Sequence, residues 1–496
     1  MEVIVNRQDA RYEALLRGHN LRFPENPRVA PGRIVYCSTP ADARNALQTA
    51  VHSGVRPTIR SGGHCYENFS ADNPGGTLID LSLLNSVGRD EKTQEYVISA
   101  GACLGDAYQA LYKQFGVTLP GGSCYSVGAG GHISGGGYGL LSRLHGLSSD
   151  WLTSVDILTV EANGHVTERR VDKHHDTDLF RACRGAGGAG LGLITAFRFR
   201  QLPTAPREVM EVGMHFPWSD MTEQKFSELL KTYGDYWQTR GCDPDTWGLF
   251  ALLGVGPRRQ GAYINLSAQF CQPDGTVANL SVLQEFLDRF RAFHPVGLPS
   301  QWAPSAANGQ PNDILRRPWL EAAISDGNRD GVRAKYKSAY MKGSFVPAEA
   351  QAIYRFYTGD SITAASSVIS IDSYGGAINR VQSMQDSAIA QRQSVMKLQW
   401  QCYWNNPAQD DIHLRELDRF YTDIYTGAHV DPQHQGTPWG TRYQGCYMNY
   451  PDVDMLRYPF WPQLFYGNDG LYSFLQGVKR RYDSNNIFHH AMSIRT

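Results

Sequence analysis

The chain has 496 residues, 42% of them hydrophobic, with a formal net charge of −1 and only 19% charged residues. That is enough for two domains, or one elaborate one, with a full core. It offers no basic face for nucleic acid, no acidic tail, no signal-type N-terminus and no run of 18 apolar residues for a membrane, so a soluble chain, cytoplasmic or a mature form, is expected.

In chain order, residues 33–37 read as a short strand. Thr39 is a cap and Pro40 the first position of a helix that Gly54 stops. Residues 55–60 return as a strand and deliver Ser61, Gly62, Gly63 and His64 at its carboxyl end, where loops of α/β units bind ligands. Strands are predicted at 77–81, 96–100, 152–160, 165–170 and 191–200, with a helix over 105–115. Residues 201–208, Q-L-P-T-A-P-R-E, form the best domain boundary. Beyond it, Phe226, Leu229, Leu230, Tyr233 and Trp237 mark an amphipathic helix capped by Ser219 or Asp220. Leu280 to Phe290 and residues 411–425 give two more helices. Strands are read at 247–253, 263–270, 366–372, 396–403 and 445–450, a mixture that suggests an antiparallel sheet backed by helices. The tail, 471–496, carries a last helix.

The chemistry concentrates in glycine. Nine of the nineteen residues from Gly121 to Gly139 are glycine, in a tract that also holds Cys124. No helix or strand needs that composition, whereas a main chain laid against something flat or charged does. A second glycine turn, R-S-G-G-H, ends in His64. The joint reading is that both motifs hold one large anionic cofactor, with His64 and Cys124 as its tethers. Taken singly, His64 is as well explained as a turn histidine and Cys124 as a buried thiol. G-A-G-G-A-G at 185–190 has Rossmann letters but precedes a strand instead of opening a helix. No P-loop occurs, and the spacing of His64, Cys65, Cys124 and His132 fits no zinc pattern. The nine cysteines include no C-x-x-C and otherwise read as reduced, buried thiols.

R-S-G-G-H, C-Y-S-V-G-A-G-G-H-I-S-G-G-G-Y-G, R-G-A-G-G-A-G-L-G-L-I-T and the tail V-K-R-R-Y-D-S-N-N-I-F-H-H-A-M-S-I together resemble the berberine bridge enzyme-like FAD-linked oxidases of the vanillyl-alcohol-oxidase superfamily. The chain departs at Cys65, where the family usually has aspartate, and at Ser484, where it has proline. The resemblance implies an α+β fold: a PCMH-type FAD-binding domain of two α/β subdomains (1–204), a substrate domain with an antiparallel sheet backed by helices (205–440), and a C-terminal segment returning to the first domain (441–496). It implies FAD bonded through His64 at the 8α carbon and Cys124 at C6. Arg60, Ser61, Gly62, Gly63, Gly128, Ala129, Gly130, Gly131, His132, Gly136, Gly137, Tyr138, Gly190, Ile194 and Tyr450 are the implied flavin neighbours. The amides of 61–63 and 128–131 would meet the pyrophosphate, and small Ala129 would leave room for dioxygen. N-Y-P-D at 449–452 resembles the family's N-Y-x-D, which makes Tyr450 the base.

M-K-L-Q-W at 396–400 resembles the strand facing the ring, with Lys397 and Gln399 on one side by alternation. A cation at Lys397 would favour a Tyr450 phenolate. Asp372 and Tyr138 complete the implied catalytic set, although Tyr138 reads equally as a packing aromatic and Lys397 as a solvated one. The implied reaction is hydride transfer from an alcohol, on a sugar or a natural product, to the flavin, with dioxygen reduced to peroxide. Oxidative C–C bond formation, a dehydrogenase and a non-catalytic binding protein are the alternatives. Trp302, Tyr374 and Trp404 are candidates to stack on a sugar, or else core residues. A monomer or small homo-oligomer is expected.

Overall fold

The computed structural model describes residues 3–188, 190–259, 262–296, 314–324, 331–380 and 386–496. Its strands form three sheets. The first holds β1 (Val3–Asn6), β2 (Arg33–Tyr36), β3 (Pro57–Arg60) and β4 (Thr77–Asp80) in the order β1-β2-β4-β3, parallel except where β1 meets β2. The crossover helix Pro40–His52 begins as the sequence predicts. Asp42 N donates to Thr39 Oγ1, and Thr39 N donates to the Asp42 carboxylate, both at 3.1 Å, satisfying two amides at the helix start.

The second sheet is wholly antiparallel, in the order β5-β6-β9-β7-β8: β5 (Val87–Arg89), β6 (Tyr96–Ser99), β7 (Ser154–Val160), β8 (Val166–Asp172) and β9 (Leu193–Phe199). The third is a seven-stranded antiparallel sheet of β10 (Glu208–Pro217), β11 (Leu249–Val255), β12 (Tyr263–Phe270), β13 (Leu315–Pro318), β14 (Arg333–Met341), β15 (Ser367–Ser373) and β16 (Met396–Trp404). Its order is β13-β10-β12-β11-β15-β16-β14. Helices Glu223–Thr239, Ser281–Arg291, Pro347–Thr358 and Asp410–Ile424 bury apolar stripes in the large core it shares.

Three local expectations are corrected. Helix Glu223–Thr239 is capped by Thr222, whose Oγ1 accepts from Lys225 N at 3.2 Å; Ser219 and Asp220 lie in a separate turn upstream. Residues 445–450 are not a strand. Gly445 has φ +75°, and a Cβ there would strike Leu464 O, so the chain bends around helix Trp461–Tyr466. The glycine tract does contain a short helix, Ala129–Ser134.

β14 is the last strand of its sheet, and its outer edge is covered. Leu21 N donates to Val332 O and Val332 N to His19 O on one side; Tyr340 N donates to Gly445 O and Lys342 N to Arg442 O further along. Covering an edge in this way removes a template for unwanted pairing. Asn20, whose Nδ2 donates to Tyr66 O at 2.9 Å and Ala334 O at 3.1 Å, also ties the loop around residues 64–67 to this strand, which the segment from 442 meets further along. Among the described residues no helix is long and apolar enough to cross a membrane.

Candidate active site

The two glycine motifs meet main chain to main chain. A Cβ on Gly62 would fall on Gly128 N and lie 2.6 Å from Ser126 O, while one on Gly128 would overlap the Ser61 side chain. Ser61 Oγ donates to Ala100 O at 2.6 Å, pinning the turn to the second sheet. Ser126, two residues past Cys124, places its Oγ 2.7 Å from His64 Nε2. The His64 ring stacks on His19, with centroids 3.6 Å apart and planes 23° apart. Burial, with a smaller contribution from His19, lowers the His64 imidazole to about 3, so it is neutral at pH 7. Cys124 is exposed and in no disulfide. Gly131 is exposed, and a Cβ there would meet nothing within 4 Å. The cradle therefore presents bare backbone, an imidazole and a thiol around open space, which suits a flat ring held at two atoms.

The expected amide donors are fewer than the sequence suggests. Ala129 N donates to Ala102 O and Gly130 N to Ala100 O, each at 2.8 Å, so these two are spent inside the protein. Ala129 itself is fully buried.

Facing this cradle is a chain of three polar side chains. Lys397 on β16 sits opposite Asp372 on β15, and its Nζ lies 2.7 Å from the carboxylate. The same Nζ donates to Tyr450 Oη at 3.1 Å and lies 4.5 Å from the centre of that ring and 4.6 Å from that of Tyr138. Lys397 is 1% exposed, so it is no solvated lysine. Burial and then the Asp372 carboxylate push the Tyr450 phenol well above its ordinary range. This corrects the expectation that Lys397 leaves Tyr450 ionised: its positive charge is shared with Asp372. Gln399 donates to Tyr66 Oη at 2.9 Å, and Tyr66 stacks between Tyr336, at 3.6 Å, and Tyr450, at 5.3 Å.

The foundation lies on the other face of β14. Lys335 Nζ is 2.7 Å from both Glu67 and Asp452; Lys337 Nζ is 2.8 Å from Asp452 and 2.7 Å from Asp454. Both loops straddle the strand, with Tyr66 and Tyr450 on the cleft side and Glu67 and Asp452 behind. Burial opposes the Lys335 ammonium, but the carboxylates of Asp452, Glu67 and Asp454 outweigh it and hold the group above the lysine range. Asn449 Nδ2 donates to His132 O at 2.9 Å and to Tyr447 Oη at 3.2 Å, docking the tyrosine loop on the glycine tract.

Several candidate neighbours serve elsewhere. Arg60 turns away from the cleft: Nη1 and Nη2 donate to Leu16 O and Leu15 O at 2.7 and 2.6 Å, and Nε to the buried Asp80. Gly190 meets the C-terminal segment, since a Cβ would strike Phe488 O and its carbonyl accepts from Lys479 at 2.6 Å. Ile194 packs, half-buried, against the large core. Gly136 and Gly137 form a turn whose carbonyls accept from Ser149 and Ser148, both at 2.9 Å. His132 accepts from Gly122 N at 3.1 Å, and burial lowers it to about 4. Tyr138 gives its hydroxyl to Ser373 O and packs with Phe250, Tyr340 and Tyr374. Tyr374 is buried in that cluster, and Trp404 stacks on His413 while donating to Asp410 at 2.6 Å, so neither can stack on a sugar. Trp302 lies outside the described residues. Tyr66, Tyr447, Asn449, Ser126 and His19 were not singled out from sequence. Tyr66 was within reach, being two residues from His64, but His19 comes from a distant stretch that carries no local signal.

A glycine-lined cradle with a neutral imidazole and a thiol, on this three-sheet α+β frame, defines an FAD-dependent oxidoreductase of the PCMH type. Sequence comparison agrees: an FAD binding domain profile matches residues 31–169, and a profile described as berberine and berberine like matches residues 446–495. The aclacinomycin-N/aclacinomycin-A oxidase of Streptomyces galilaeus is 32% identical, covering 99% of this chain and 90% of that protein. The hexose oxidase of Chondrus crispus is 31% identical, covering 99% and 94%. The solved structure of GilR, an oxidoreductase of the terminal step of gilvocarcin biosynthesis, in complex with pregilvocarcin, superposes with a TM-score of 0.89 over 100% of both chains, at 29% identity. The chain belongs to the berberine bridge enzyme-like family of FAD-linked oxidoreductases.

Proposed function

We propose that this protein is an oxidase that holds FAD through both His64 and Cys124 and oxidises an alcohol on a hexose or on a glycosylated natural product, with dioxygen as acceptor. The buried Asp372–Lys397–Tyr450 chain, at 2.7 and 3.1 Å, carries the reading. The substrate class follows from relatives named for aclacinomycin and hexose oxidation. FAD, when bound, supplies the hydride acceptor at N5 and passes the electron pair to dioxygen as hydrogen peroxide.

The protein's own part is positioning and one proton. Tyr450 Oη, in its phenolate form, takes the proton of the substrate hydroxyl as the carbon's hydride leaves, and it must lose its own proton first. Lys397 donates to that same oxygen, so the negative charge that the phenolate carries before the transfer is met by a donor already in place. Asp372, 2.7 Å from Nζ, keeps the Lys397 side chain aimed. Tyr66, fixed by Gln399 and by Tyr336, walls the site beside Tyr450. Ala129 offers the least bulk where dioxygen would approach. Two tethers allow the ring to stay in an open cleft that large glycosides can enter.

A panel of hexoses and glycosylated polyketide alcohols, scored by anaerobic bleaching of the flavin and then by peroxide release in air, tests the reading. Tyr450→Phe should keep the yellow colour and lose about 10²–10⁴-fold in rate. A protein that no alcohol bleaches, or a Tyr450→Phe variant at full rate, would sink the proposal. Bleaching without peroxide would mark a dehydrogenase.

A further inference from the structure

The His64 ring is gripped on two sides, by Ser126 of the cysteine-bearing glycine tract and by His19, which lies outside both glycine motifs. Ser126 Oγ is 2.7 Å from His64 Nε2. The His19 ring covers the imidazole face at 3.6 Å. His19 is itself fixed in the main chain, its N–H donating to Gly63 O at 3.0 Å and its carbonyl accepting from Val332 N at 3.1 Å. A Cβ on Gly18 would lie 2.6 Å from Gly63 O, so the two segments already touch at the backbone.

We infer that His19 and Ser126 are positioning residues that clamp the His64 imidazole for its attachment to FAD. This rests on the two-tether reading. The Ser126 contact occupies Nε2, so Nδ1 is the ring nitrogen turned away from it. The bond formed is Nδ1 to the ring's 8α methyl carbon. The methyl gives up one C–H and the imidazole one N–H, the latter proton leaving past Ser126. The electron pair released passes through the flavin to dioxygen, which takes up the two protons as hydrogen peroxide. The stack fixes the plane of the ring and the hydroxyl fixes its rotation within that plane. Misplacing a reacting atom by about 1 Å can cost on the order of 100-fold in rate.

The test uses a Cys124→Ala chain as parent, so that His64 alone can retain the flavin, with FAD-loaded protein unfolded in acid and weighed intact. The parent should carry covalent flavin. Adding Ser126→Ala or His19→Ala should lower the rate of covalent loading roughly tenfold or more, while Ser126→Thr and His19→Phe, which keep the hydroxyl and the stacking ring, should restore most of it. The isolated flavin peptide should show attachment at Nδ1, read from the pH dependence of its fluorescence. Equal loading in the parent and both alanine variants overturns the clamp and leaves the tether reading intact. A parent with the bare chain mass overturns the tether reading itself, and the clamp with it.

Discussion

Lys335→Met removes the ammonium that stands between Glu67 and Asp452 behind the active site. All three side chains are nearly inaccessible, at 1%, 2% and 3% exposure, with N–O distances of 2.7 Å. Deleting one partner of a buried pair leaves an uncompensated charge and costs about 3–5 kcal/mol. Lys337 still meets Asp452 at 2.8 Å, so the orphan is chiefly Glu67. An unfolding entropy of about 2 cal/mol/K per residue amounts to about 1 kcal/mol/K for this chain, so the melting temperature should fall by about 3–5 °C. Burial already pushes the Glu67 carboxyl up, with Lys335 offsetting only part of it. A carboxyl raised in the folded state favours folding below its unfolded pKa and loses that contribution as pH rises through the folded one. The Lys335→Met deficit should therefore widen from acid to mild alkali, and Glu67→Gln added to it should recover part of the loss. Melts followed by flavin fluorescence at pH 5 and pH 8 decide the matter. A deficit that is the same at both pH values, or a double variant that is simply worse by the sum, would refute the reasoning.

Three further outcomes follow from the site. If Tyr450 is the proton acceptor proposed, activity should rise with pH toward its raised pKa; Asp372→Asn removes a carboxylate that raises it, so the rising limb of kcat/KM moves to lower pH, and Lys397→Met moves it higher. A pH–rate series on each variant checks both directions. Gly128→Ala forces a methyl into the Ser61 side chain and the Gly62 backbone, so flavin content after purification should drop severalfold, at a cost of about 1–3 kcal/mol for overpacking; absorbance per chain reads it. His64→Ala or Cys124→Ala alone should leave flavin on the acid-unfolded chain, and the pair together should release it; intact mass distinguishes these states.

Local chemistry was legible wherever a motif is short. Thr39–Pro40, the R-S-G-G-H turn and the apolar alternation of β16 each declare their structure within a few residues. β14 did not, because R-A-K-Y-K-S-A-Y-M is buried on both faces and one of them is lined by lysines. Buried lysines read as a polar face until their acids, 268 and 115 residues away in sequence, are brought to them. The cap of helix Glu223–Thr239 was displaced because several hydroxyl and carboxyl residues precede it, and only backbone geometry picks Thr222. Arg60 was misplaced for a related reason: standing beside the glycine turn in sequence, it looks like a cofactor residue, whereas the carbonyls of Leu15 and Leu16 claim it. Residues that act by holding others, such as His19 and Asn449, have no periodic or compositional mark.

The pleat of β14 and β16 has one more implication. Tyr336, Ser338 and Tyr340 lie on the face of β14 that pairs with Gln401, Gln399 and Lys397, while Lys335 and Lys337 pair with Cys402 and Trp400 in the same ladder. The side chains that pack behind the Tyr450 site and the lysines that anchor its two loops thus occupy alternate residues of one ribbon. Tyr340 is buried beside Tyr138 and Tyr374, and Ser338 Oγ accepts from Tyr447 N at 3.0 Å, so both faces hold the framework and a single inserted residue would exchange them at a stroke.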